Sequence, residues 1–154
     1  MEIIELLEKP NLNVDEKVAK AHQHLNQLLT ELRKRELPEE VIMTINEEVE
    51  QVNSFSGAGK ELKTQYNKVK TSILNLIELK LKLVTKGHYR MKWMAVGMTA
   101  FGLPLGVVFG LTLGSMAFLG IGLPIGLAMG LAIGSGMDQK ALEEGRQLDL
   151  EIKN

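Results

Sequence analysis

Three histidines, His22, His24 and His88, are the residues of this 154-residue chain best suited to bind a metal or move a proton near neutral pH. His22 and His24 stand two apart, which on a helix turns them about 200° from one another, so they cannot chelate one ion. They read as solvent-facing polar residues. His88 stands beside Tyr89 and Arg90 and reads as a surface residue, with a pH response as the alternative. Cysteine is absent, which removes thiolate and disulfide chemistry and fits a cytoplasm-facing protein. The glycines follow no strand and lack the Lys-Ser/Thr of a phosphate loop. The sequence therefore assigns no catalytic residue, no metal ligand and no cofactor, and the expectation is a non-enzymatic protein.

The informative spacing is that of the glycines. Gly102, Gly106, Gly110 and Gly114 repeat every fourth residue, and Gly122, Gly126, Gly130 and Gly134 repeat the pattern twenty positions later, each set with a proline two residues after its first glycine (Pro104, Pro124). Such glycines share one helix face, where the missing side chains let another backbone approach. These eight are the expected helix-packing residues, with Gly106, Gly110, Gly126 and Gly130 deepest. They lie in an uncharged stretch from Trp93 to Met137 that holds 11 of the 15 glycines. As one straight helix it would extend roughly 68 Å against a bilayer core of about 30 Å. Two spans fit instead, near Trp93–Leu113 and Ala117–Met137, with a turn around Gly114, Ser115 and Met116. The prolines also permit a wedge that enters one leaflet and returns.

Lys86, Tyr89, Arg90, Lys92 and Trp93 are the expected membrane-interface residues before the first span, and Lys140 and Arg146 follow the second. Lys and Arg favour the cytoplasmic side, so both termini are expected there. No acid, base or histidine lies within the stretch, which argues against an ion pump or a rotor ring. Thr99, Thr112, Ser115 and Ser135 offer hydroxyls for bonds between helices. The first ten residues are acidic where a cleavable export signal would be basic.

The remaining sequence reads as all-α. Asn13 and Glu16 resemble a capping box, and Val14, Val18, Ala21, Leu25, Leu28 and Leu32 then advance as a heptad seam. A second helix opens with Pro38 as its first residue and carries Ile42, Ile45, Val49 and Val52. A third carries Leu62, Tyr66, Val69, Ile73 and Leu76, with Ile77, Leu81 and Val84 on a shifted seam. These predict an antiparallel three-helix bundle over 1–90. A hairpin over 91–137 and a polar cytoplasmic tail over 138–154 follow. Gly87 is the expected joint. Around Leu74–Val84 the apolar positions spread widely, as for a core helix or one facing an interface. Glu2–Lys9 is expected as a short amphipathic helix. Charge is segregated: residues 1–57 hold 12 acidic and 6 basic side chains, residues 58–92 hold 2 and 9, and residues 138–154 hold 5 and 3. The basic run beside the membrane is read as attracting anionic headgroups; nucleic acid is not an expected partner.

The repeated Gly-x-x-x-Gly pattern resembles the glycine zipper of small two-transmembrane proteins. The resemblance covers about 35 residues and implies helix pairing or homo-oligomerisation in a lipid bilayer, through the eight glycines. The expected function is thus an integral membrane protein whose hairpins associate while the cytoplasmic bundle binds a protein partner or its own copies. Two alternatives stand beside it. One is a pore lined by Thr112 with Ser115 or Ser135. The other is an adaptor whose hairpin only anchors the bundle.

Overall fold

A computed structural model describes residues 2–9, 15–115, 117 and 119–151. Among these the chain is all-α, with helices α1 Glu16–Arg33, α2 Glu39–Asn53, α3 Gly59–Leu81, α4 His88–Val96, α5 Leu103–Thr112 and α6 Leu119–Glu143. The chain divides into two compact units, residues 1–84 with 148–154, and residues 85–147. The boundaries thus differ from the expected 1–90, 91–137 and 138–154. The tail is no separate segment, because Leu148 and Leu150 belong to the first unit's core.

In the first unit, helix ends follow local chemistry. The Asp15 side chain accepts the Lys17 amide at 2.8 Å and caps α1. The expected cap, Asn13, lies outside the described residues, as does Val14, and the helix starts beyond both. Pro38 falls at the N-cap of α2, one residue earlier than expected, with Glu39 and Glu40 opposing the positive helix end. Helix α3 stops where Lys82 turns left-handed at φ 57°. The Leu83 amide then reaches back to the Ile77 carbonyl at 3.2 Å, tying off the end carbonyls.

The heptad seams become the core. Val18, Ala21, Leu25, Leu28 and Leu32 of α1, Ile42, Ile45, Val49 and Val52 of α2, and Leu62, Tyr66, Val69, Ile73 and Ile77 of α3 are all buried. Leu74, Leu76 and Leu81 pack partly buried against this cluster, which Leu83 joins, and Val84 is buried as well; Leu79 points outward. The broad apolar stretch is therefore mostly core.

Helices α1 and α2 each pack on α3, whereas among the described residues they make no close pairing with each other. The N-terminal segment 2–9 lies between them. It is extended rather than the expected amphipathic helix. The Asn46 side chain accepts the Ile4 amide at 2.9 Å and donates to the Glu2 carbonyl at 3.0 Å. Asn53, one heptad on, does the same for the Leu7 amide and the Glu5 carbonyl. Arg33 of α1 donates to the Ile3 and Ile4 carbonyls from the other side. The register is physical: seven helical residues rise about 10.5 Å and three extended ones about 10 Å. The same step presents Ile3 and Leu6 to the core, where both are buried.

The tail completes this unit. Leu148 is buried and its amide donates to the Val84 carbonyl at 2.8 Å. The Asp149 amide donates to Glu31, which also holds Lys34 at 2.8 Å. Lys34 and then the Asp149 amide keep the Glu31 carboxyl below its ordinary value, although burial opposes this.

Candidate functional site

The second unit is built on two helices. Residues His88–Thr112 form one continuous 25-residue helical rod, and Gly120–Glu143 a 24-residue stretch of the other, both long and apolar enough to cross a membrane. The rod contains a π-helical turn over Gly97–Gly102, directly before Pro104. Pro104 has no amide to donate and its ring crowds the carbonyl four residues back. The wider turn accommodates this: the Leu103 amide bonds the Met98 carbonyl, five residues back. Pro124 lies within α6, which continues through it.

Glycines set the closeness of the two helices. A Cβ added at Gly126 would stand 2.7 Å from the Gly102 Cα, and one at Gly122 would stand 2.6 Å from the Gly106 Cα. Added at Gly130 or Gly134, it would meet the backbone of Trp93 and Met94, or of Tyr89 and Arg90. Ascending positions of the rod thus meet descending positions of α6, backbone against backbone. Gly102, Gly106, Gly122, Gly126, Gly130 and Gly134 stand at these close approaches, and Gly110 is buried.

Gly114 departs from the expectation. It is exposed with φ 69° and nothing within 4 Å of an added Cβ, because the rod has ended and the chain is turning. Met116, in the expected turn, lies outside the described residues. Gly97 takes a packing position that the repeat did not include: its added Cβ would stand 2.9 Å from the Gly130 Cα.

Opposite the turn, an acidic side chain fixes the register. Gly87, in a left-handed conformation at φ 71°, precedes α4 and has no side chain to cap it. Asp138 of α6 supplies the acceptors instead, taking the Tyr89 and Arg90 amides at 3.0 Å each. Two free first-turn amides and the positive helix end thus receive a carboxylate from the neighbouring helix. Sequence reasoning missed this; the signal was a lone acid just beyond the apolar run. Lys86, Arg90 and Lys92 are exposed, while Tyr89 and Trp93 are half-buried at the same end. The two threonine hydroxyls bond within their own helices: Thr99 donates to the Ala95 carbonyl at 3.0 Å and Thr112 to the Val108 carbonyl at 2.8 Å.

In the first unit, His22 is not the solvent-facing residue expected. Its ring meets that of Tyr66 edge-on at 5.4 Å, and its Nε2 and the Tyr66 hydroxyl are buried with no hydrogen-bond partner among the described residues. Burial pushes the imidazole below its ordinary value, with Glu8 opposing, and pushes the Tyr66 phenol up. His24 is lowered too, by burial and then by Lys70 and Lys20. A histidine held below its unfolded value costs the fold stability on protonation. Stability should be level above about pH 6.5 and fall as pH drops from there through the lowered values. Urea unfolding at pH 7.5 and 5.5 should show that loss, and His22→Phe, which keeps a ring against Tyr66, should diminish it.

No protein-family model matches the chain, and comparison with curated proteins and with solved structures finds no match.

Proposed function

We propose that the chain is a non-enzymatic integral membrane protein. A two-helix transmembrane hairpin, closed on itself by the glycine face, anchors a cytoplasmic helical bundle that serves as the binding module. The observation that carries this is the outer surface of the second unit. Phe101, Val107, Val108, Leu111, Ile125 and Met129 are all exposed, and in the most apolar stretch of each helix only 22% of residues are buried. A core helix of a soluble protein hides its apolar side chains, and soluble monomers rarely expose a contiguous apolar sheath. At 1.5 Å per residue, helices of this length reach roughly 36 Å, enough for a core of about 30 Å with some tilt.

The chain's return supports an even number of crossings. It leaves the first unit at Val84 and re-enters at Leu148, hydrogen-bonded to Val84. With an even number of crossings both flanks of the apolar segment would lie on one side, and Lys86, Arg90, Lys92, Lys140 and Arg146 would keep that side cytoplasmic. Among the readings the sequence offered, the anchored adaptor has most support. Pairing of copies through the zipper would need glycines that already pack within the chain. A lumen lined by Thr112 would need a hydroxyl that is bonded to its own helix. Alkaline carbonate extraction of membranes from expressing cells should leave the chain in the pellet; its release with peripheral proteins would exclude an integral hairpin.

A further inference from the structure

Lys70 is the buried cation among the described residues of the first unit, 7% exposed. No ion pair holds it among the described residues, and burial pushes its ammonium below the ordinary lysine value. It lies in a groove between α1 and α3 with a volume of about 720 Å³. From α1 come Lys17, Lys20 and His24, spaced three and four apart along one face; from α3 come Lys63, Asn67 and Lys70, spaced four and three. Among the described residues no acidic side chain lines the groove. Glu16 pairs with Lys20 at 2.6 Å from the α1 side. The Thr71 hydroxyl bonds the Asn67 carbonyl, and the Asn67 side chain is half-buried among the cations.

Clustering like charges around a desolvated ammonium is unfavourable unless an anion offsets it. We propose that this groove binds a phosphate-bearing anion, with Lys70 at its base and Lys63, Lys20 and Asn67 as further donors. A carboxylate brings one charge and two oxygens. A phosphate brings up to two charges and at least three terminal oxygens, which several ammonium groups can share through charge-assisted hydrogen bonds. The groove falls within the size range of small-molecule sites. It lies wholly within the first unit, so it does not depend on whether the apolar helices cross a bilayer. The phosphate can come from a lipid headgroup or from a free phosphate compound.

Inorganic pyrophosphate titrated calorimetrically into the full chain in maltoside micelles should bind saturably at one site. Lys70 and Lys20 act on His24, which shares the groove with Lys17 and Lys63, so a bound anion should raise the titration midpoint of its imidazole, followed by NMR. Lys70→Met and Lys63→Gln should each weaken binding about tenfold or more. Lys80→Gln, which removes an α3 cation paired with Glu40 at 2.9 Å, should change it less than twofold. In nanodiscs, replacing part of the phosphatidylcholine with phosphatidic acid should abolish pyrophosphate binding if the natural source is lipid. It should leave binding intact if the source is a free phosphate. Binding that Lys70→Met and Lys63→Gln leave unchanged would overturn the proposal, as would no binding of either pyrophosphate or phosphatidic acid. Should Lys70→Met not fold, Lys63→Gln and the His24 midpoint decide alone.

Discussion

Replacing Gly126 with leucine is expected to separate α6 from the α4–α5 rod. The first added carbon would stand 2.5 Å from the Gly102 amide nitrogen and 2.7 Å from its Cα. Both are backbone atoms, so no rotamer change relieves the clash, and the helices must part or shift. Overpacking against movable side chains costs about 1–3 kcal/mol; against backbone the cost should exceed that range. Side chains at such a contact typically hold helix axes about 8–10 Å apart. Spin labels on Val107→Cys and Ile121→Cys, both exposed, should report a narrow distance in the parent. With Gly126→Leu the distribution should broaden and lengthen. Gly136→Leu is the matched control: it adds the same side chain to α6 where nothing lies within 4 Å, and it should leave the distance unchanged. Equal distances in both variants would mean that the glycine face does not hold the helices together.

The second large effect lies in the tail. Leu148 is fully buried and its amide bond to Val84 closes the path by which the chain returns. Leu148→Ala should destabilise the first unit by about 2–5 kcal/mol, the range for a leucine truncated in a core. Leu148→Asp should cost more, because an unpaired carboxylate would enter an apolar cluster. Hydrogen exchange at the Tyr66 and Ile73 amides, in the middle of α3, measures the loss in the full chain. Protection unchanged by Leu148→Asp would show that the tail is not part of this core.

The parts legible from the sequence are those in which one residue type repeats at a fixed step. Heptads named most of the buried residues of α1–α3, though not Leu29 or Val41, because each helix hides one main stripe. The four-residue glycine step marks a bare face on each apolar helix, because only missing side chains permit a close backbone approach. Features formed by one-off partners left little trace. Segment 2–9 buries Ile3 and Leu6 at a step of three, close enough to helical spacing to suggest a helix. The acceptors that hold it extended, Asn46 and Asn53, sit on another element and reveal themselves only by being seven apart. Leu148 is one leucine in a polar tail. Gly97 stands five residues before Gly102, out of step with the repeat, because the π-helical turn ahead of Pro104 adds the extra residue. Gly114 kept the step but not the role, since the helix ended two residues earlier. The basic groove was visible only as a net-positive stretch, because half of it comes from α1, within the acidic part of the chain.

The sidedness of single cysteines distinguishes a bilayer hairpin with both flanks on the cytoplasmic side from a wedge in one leaflet. The chain has none of its own, so each introduced thiol reports alone. Ser115 is exposed between the two apolar helices, and Thr64 is exposed on α3. Ser115→Cys should react with an impermeant thiol reagent added outside intact spheroplasts, whereas Thr64→Cys should react only once the membrane is opened. Protection of Ser115→Cys from the outer reagent in intact spheroplasts, with Thr64→Cys protected too, would contradict a full crossing and favour a wedge in one leaflet.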